Sequence, residues 1–243
     1  MLTALLVLSC QPVWCQQELA EFSVDIDVAQ FSADEDVAHV NLLLDGRRLV
    51  DAGQPREAIT EYFDKVLSEY EAKYGNSEER IYCARTSTES FAYLLTAAAE
   101  EQEAFVLSET WANAHLMKGY ALLELGRMSE GKSSIEQALT LSPYNSQYLS
   151  ELAYVYQIEK NWPAALKYFQ DAERFAEGFT PDNDKAFELA IARRGLGYVL
   201  VELGRLDEAE EKYRQCLAAD PNDVKAKNEL AYVLDLQKAE GAD

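Results

Sequence analysis

The chain has 243 residues, of which 43 are Asp or Glu and 22 are Lys or Arg, so that its net charge is −21 at pH 7. This acidity disfavours binding to nucleic acid and to anionic membranes, because both need a surface rich in lysine and arginine. A hydrophobic content of 48% is enough for a core, and one domain accommodates this length. The charge either serves solubility or favours a basic partner.

The first 15 residues, Met1–Cys15, form an apolar and uncharged segment. It is too short to span a membrane, and it is similar to the hydrophobic region of a secretory signal, although it lacks the usual basic residues. Cleavage is then expected before Gln16, which predicts an exported, periplasmic protein. The alternatives are a lipoprotein acylated at Cys10 and a cytoplasmic protein without a signal. We interpret the acidic residues 16–31 as a linker.

A first helical hairpin is predicted at about 39–72. The pattern Ser32-Ala33-Asp34-Glu35 is typical of a capping box and opens a helix that runs to about Ala52. Pro55 begins the partner helix, because proline is tolerated in the first turn, and this helix extends to about Tyr74.

Residues 73–111 break the pattern. A second capping box, Thr86 with Glu89, predicts a helix from Ser87 to about Val106. The helix before it is degenerate around Ile81–Ala84. We therefore expect an irregular unit with one recognisable helix.

From Gly119 onward a pattern returns, once at 34 residues and then after an insertion of ten. A small residue is followed by tyrosine at Gly119-Tyr120, Ala153-Tyr154, Gly197-Tyr198 and Ala231-Tyr232. A second small residue lies twelve positions later, at Gly131, Ala165 and Ala209, where a larger side chain would push two helices apart. Glycine at Gly126 and Gly204 ends a first helix, and Pro143 and Pro221 follow a second helix. The insertion lies at about Gly178–Leu189 and lengthens the next helix, which is predicted from about Pro181 to Leu203.

These offsets resemble those of the tetratricopeptide repeat (TPR) family. The resemblance implies an all-α fold over 32–243, a right-handed α-solenoid of stacked helix-turn-helix repeats with no sheet. The predicted units are about 39–72, 73–111 (irregular), 112–145, 146–179 and 190–223, followed by a capping helix at 224–238.

By the same resemblance, the residue after the small one faces a concave groove where peptides bind. The predicted partner-binding residues are Tyr120, Tyr154, Tyr198, Tyr232, Arg194, Asn228 and Gln157, with Arg47, Leu116 and Glu124 as neighbours. Tyrosine is a favoured anchor at interfaces. The alternative is that each tyrosine packs on the next unit and supports only the core. The lysine, asparagine and arginine clamp of chaperone-binding family members is not reproduced at the corresponding positions.

The sequence contains no motif for catalysis or for a cofactor. The two histidines, His39 and His115, are far apart, and no group of residues has the spacing of metal ligands. Cys216 occupies a small core position of the repeat. Cys83 lies in the irregular segment, where it can be accessible.

The leading hypothesis is a non-enzymatic scaffold that binds a protein or peptide partner, of basic character if the charge is used for binding. The motifs also resemble those of uncharacterised exported bacterial TPR proteins, which implies a bacterial cell envelope. One alternative is a cytosolic regulator that senses a peptide. The other is an enzyme with its site at 71–85, where Arg80, Tyr82, Cys83 and Arg85 are the candidates.

Overall fold

A computed structural model describes residues 33–240 of the chain. The predicted signal segment, the linker and Ser32 of the first capping box lie outside the described residues. The described part contains ten helices and two strands: α1 (Ala33–Asp51), α2 (Pro55–Ala58, continued by a π-helical turn Ile59–Phe63 and by Asp64–Tyr74), β1 (Arg80–Ala84), α3 (Ser87–Ala99), β2 (Ala104–Ser108), α4 (Thr110–Glu124), α5 (Met128–Leu141), α6 (Ser146–Ile158), α7 (Trp162–Gly178), α8 (Asp182–Glu202), α9 (Leu206–Ala219) and α10 (Val224–Glu240).

Nine of these helices form the stack of hairpins, so the predicted all-α solenoid is confirmed. Two residues beyond the end of the first helix of each hairpin lies a residue with positive φ, namely Gly53, Gly126, Lys160 and Gly204. Glycine is preferred at such a left-handed helix end because it has no Cβ. In α6 the same turn is made by Lys160, whose φ is 56°. The backbone bonds match, since Gly126 N donates to Leu123 O at 2.9 Å and Lys160 N donates to Gln157 O at 3.0 Å.

The small residues lie where paired helices touch, as the repeat pattern predicts. A Cβ on Gly119 would lie 3.1 Å from the carbonyl oxygen of Gly131 and 2.7 Å from Ile135. A Cβ on Gly197 would lie 2.5 Å from the ring of Tyr213. The fully buried aromatic rings therefore pack directly against glycine backbone, which sets the spacing of the helices.

The prediction of no sheet is wrong for residues 80–108. There β1 pairs in parallel with β2, in a register that joins Arg80 to Ala104 and Ala84 to Ser108, and α3 makes the crossover. The predicted helix to Val106 ends instead at Ala99. The apolar residues Phe105, Val106 and Leu107 of β2 are all buried, as in parallel sheets with both faces covered. Such a short run does not distinguish a strand from a helix by periodicity.

A buried ion cluster ties this βαβ insert to the solenoid. The guanidinium of Arg85 donates to the carboxylates of Glu89 and Glu188, at 2.7 Å in each case. Glu89 also accepts a bond from the backbone N–H of Arg85 at 2.7 Å, while Thr86 accepts from the Glu89 N–H at 3.1 Å. The hydroxyls of Thr180 and Ser146 donate to the other oxygen of Glu188. The capping function of Thr86 is thus confirmed, while the Glu89 side chain serves the cluster.

Cys83 is completely buried, which corrects the expectation that it can be accessible. Burial raises the pKa of its thiol to about 12. Its neighbours in the strand pack into the core, and its carbonyl accepts a bond from the Ser142 hydroxyl at 2.6 Å. Cys216 is also buried, as predicted for a small core position. None of the helices between residues 33 and 240 is both long enough and apolar enough to cross a bilayer.

Candidate partner-binding groove

The first helices of successive hairpins line one face of the solenoid, which we call the groove. In the described part of the chain, two cavities of about 470 Å³ each open on this face. The N-terminal cavity lies among α1, α2, α4, α6 and α8, and the C-terminal cavity lies among α6, α8, α9 and α10. Glu151, Phe187 and Ile191 belong to the walls of both cavities, which are therefore adjacent.

The structure brings most of the predicted site residues together. The C-terminal cavity is lined by five of them: Tyr154, Gln157, Arg194, Tyr198 and Asn228. The N-terminal cavity is lined by Tyr120 together with the predicted neighbours Arg47 and Glu124. Tyr232 lies outside both cavities, and 54% of its surface is exposed. Leu116 is buried in the core, so its prediction as a groove neighbour is wrong.

The four tyrosines do not share one environment. Tyr120 and Tyr154 are partly buried, and burial raises the pKa of each hydroxyl. The ring of Tyr154 packs edge-on against Phe169, with centroids 5.1 Å apart. Tyr198 is 39% exposed beside the cavity. The tyrosine at 154 therefore serves the core and the groove at once, while Tyr198 is free to contact a partner.

Two aromatic or apolar groove residues were missed by the sequence reasoning. Phe187 is 66% exposed on α8, and Ile191 follows it by one helical turn. With Arg194 and Tyr198 they have the spacing i, i+4, i+7 and i+11, which keeps side chains on one helix face. That spacing is visible in the sequence, but Phe187 fell in the segment interpreted as an insertion.

Glu151 is the other residue that was missed. Its carboxyl group stands on the wall between the two cavities, three residues before Tyr154 on the same face of α6. Burial raises the pKa of this carboxyl, and a hydrogen bond from the Tyr120 hydroxyl offsets only part of that effect. No ion pair in the described part of the chain involves Glu151. It is thus a partly buried acid that has no cation of its own.

The remaining charges give the groove an acidic character. The two lining arginines are already paired: Arg194 with Asp223 at 2.5 Å, and Arg47 with Asp51 at 3.1 Å. Among residues 36–240, the lining carboxylates of Glu124, Glu151 and Glu229 take part in no ion pair. Lys225 is the lining cation that likewise takes part in no ion pair within these residues. A partner therefore meets three unpaired carboxylates against one unpaired ammonium.

Replacing Glu151 with glutamine is expected to raise the melting temperature at pH 7. Because the pKa of Glu151 is raised in the folded state, the charged carboxylate costs stability once the pH exceeds its ordinary value and passes through the raised one. Below its ordinary pKa the carboxyl is neutral in both states, so wild type and variant should then melt together. Thermal unfolding between pH 3.5 and 7 checks this convergence, and a variant that melts earlier at pH 7 would contradict it.

Comparisons with known proteins agree with this geometry. Tetratricopeptide-repeat family models match residues 112–145 and 144–222. RNA polymerase II-associated protein 3 of Mus musculus is 27% identical over 121 residues, which are 48% of this chain but 18% of that protein. The match thus spans less than a fifth of the relative's length.

Two solved structures are similar in fold over most of the chain. PilF of Pseudomonas aeruginosa is 14% identical, with a TM-score of 0.58 over 84% of this chain and 71% of its own. MamA is 14% identical, with a TM-score of 0.52 over 79% of this chain and 84% of its own. The family models therefore identify tetratricopeptide repeats within residues 112–222, and the two structures show a similar fold over most of the chain. In the described part, no three His, Cys, Asp or Glu residues are arranged to hold a metal ion.

Proposed function

We propose that this chain is a non-enzymatic scaffold that holds a protein or peptide partner along the groove. The observation that carries the proposal is the row of accessible aromatic and apolar side chains, Phe187, Ile191 and Tyr198, beside two adjacent cavities. Tetratricopeptide repeats generally serve protein interaction and not catalysis. Aromatic residues bordering pockets are also the usual anchors of protein interfaces.

The acidity of the groove supports a partner with basic side chains. An extended segment can occupy both cavities, since they share the wall that contains Glu151. A partner of this kind would also draw on the net charge of −21, which steers cationic molecules toward the chain.

The alternative of an enzyme at 71–85 finds little support. The guanidinium of Arg85 is held by Glu89 and Glu188, and Arg80 lies over the ring of Tyr82 at 5.4 Å. Tyr82 and Cys83 are buried. These contacts favour structural roles for all four candidates.

We also propose that the protein acts in a bacterial cell envelope. The support is the apolar run Leu2–Leu8, which lies outside the described residues. Mass spectrometry of the protein from its own host tests this. A mature chain beginning at Gln16 is expected, and a diacylglyceryl adduct on Cys10 would point to the lipoprotein alternative in the same compartment. An intact Met1 in a soluble cytosolic fraction would contradict the proposal.

The groove itself is tested by removing its exposed aromatic side chains. The double variant Phe187→Ala with Tyr198→Ala should lose much less stability than a core variant, because 66% of Phe187 and 39% of Tyr198 are exposed. Peptides selected against the wild-type protein from a randomised library on phage should bind this variant at least tenfold more weakly, as truncation of interface anchors predicts. Fluorescence anisotropy measures the affinities.

The matched control is Phe91→Ala. Phe91 is an aromatic side chain on α3 with 60% exposure, and it lines neither cavity. This control should bind the selected peptides with wild-type affinity. Equal binding to all three proteins, or loss in the control alone, would refute the groove as the binding surface.

A further inference from the structure

The C-terminal cavity borders two buried polar atoms that have no hydrogen-bond partner. The Tyr213 hydroxyl and the Gln157 Oε1 atom are both buried and unpaired, and both residues line this cavity. Tyr213 as a whole has 0% exposure. Buried polar atoms are nearly always satisfied in native proteins, so two orphans at one cavity need an explanation.

The core does not require the hydroxyl of Tyr213. The corresponding residue of the preceding unit is Phe169, which is equally buried and fills the same place between its helices. Tyr213 reaches the cavity because its ring passes the backbone of Gly197, where a Cβ would lie 2.5 Å from the phenol carbon Cζ. Of these two corresponding residues, Tyr213 lines the cavity and has a hydroxyl, whereas Phe169 does not line it and has none.

The polar groups of this cavity select for a cationic donor. Glu151 and Gln157 present oxygen acceptors, and Glu151 has no ion pair within residues 36–240. The Tyr154 and Tyr198 rings stand beside them. Arg194 does not occupy these acceptors, because its guanidinium is paired with Asp223 at 2.5 Å. An arginine side chain has five N–H donors, no acceptor, and a flat face that stacks on aromatic rings.

An acidic ligand is less suited to the same cavity. The one lining cation without an ion pair in the described range is Lys225, which is exposed at the rim. It is opposed by Glu229, which is one helical turn further along α10. A bound carboxylate would therefore gain one exposed ammonium and face two carboxylates.

We propose that the C-terminal cavity receives an arginine side chain of the partner, with its guanidinium directed at Glu151 and Gln157 and its flat face against Tyr198. This inference rests on the proposed function and specifies the chemistry of the partner. The Tyr213 hydroxyl accepts a further guanidinium N–H, which accounts for both orphan atoms.

The test uses small probes, so that it does not depend on a selected peptide. N-acetyl-arginine amide is titrated into the full chain and followed by amide chemical shifts. We expect shifts at the C-terminal cavity, no such shifts with the neutral isostere N-acetyl-citrulline amide, and at least fivefold weaker binding to Glu151→Gln. The control Glu208→Gln removes an equal charge at an exposed residue and should bind as wild type.

Tyr213→Phe adds an independent readout. It should weaken the arginine probe while leaving the melting temperature equal or higher, because an unpaired buried hydroxyl is removed. Arginine binding unaffected by both cavity variants, preferred binding of N-acetyl-glutamate amide, or no binding of any probe at this cavity would each overturn the inference. The scaffold function is tested separately, by the peptide-binding experiment with the Phe187 and Tyr198 double variant.

Discussion

Replacing Arg85 with methionine is expected to lower the free energy of unfolding by about 3–5 kcal/mol, the usual cost of breaking a buried ion pair from one side. Glu89 is 0% and Glu188 is 6% exposed, and both depend on this guanidinium. Methionine keeps much of the apolar stem, so the loss reports the missing charge and not a large cavity. Urea denaturation at pH 7 measures it.

The matched control is Arg205→Met at an exposed pair. Arg205 bonds to Glu208 at 2.6 Å, but both side chains are exposed to solvent, so the loss should be much smaller than that of Arg85→Met. Adding Glu89→Gln to the Arg85 variant should recover part of the stability, because one of two uncompensated carboxylates is removed. Similar losses in the two single variants would mean that the cluster does not fix the βαβ insert to the solenoid.

Replacing Phe169 with alanine is expected to cost about 3–5 kcal/mol, as for other buried aromatic side chains. Phe169 is 0% exposed and packs against Gly195 of α8 and the edge of Tyr154. Gly195 has no side chain that could fill the space left by the ring, so the cavity should persist. Thermal and urea unfolding check the size of the loss.

The control for this prediction is again Phe91→Ala, which removes the same ring from an exposed position. Its unfolding free energy should change by no more than about 0.5 kcal/mol. A small loss for Phe169→Ala, comparable to that of the control, would show that the two hairpins rearrange around the site and that their spacing is not set by this ring.

The regular hairpins could be predicted from the sequence because their constraints are local. Small residues, left-handed helix ends and prolines recur in phase, and each marks a contact or a terminus within about 34 residues. The helix predicted from about Pro181 to Leu203 is observed as Asp182–Glu202. Five site residues reached the C-terminal cavity for the same reason, since repeat phase determines the helix face.

The features that were missed depend on contacts between distant residues. The sheet pairs two short apolar runs, and parallel pairing leaves no periodic pattern in either run. The bond between Arg85 and Glu188 joins residues 103 positions apart. Glu151 looks like any helix surface acid until α4 and α8 cover it. The burial of Cys83 follows from the strand that was not predicted.

If a partner occupies the groove, photo-crosslinking from a groove residue should capture it. The photoreactive residue p-benzoylphenylalanine is introduced at Tyr198 in one protein and at Phe91 in another, each made in the native host. Both parent positions are exposed aromatic side chains, so the replacement is matched. We predict a discrete adduct after irradiation from position 198 and none from position 91. Adducts from position 91 alone, or none from position 198, would show that no partner binds in the groove.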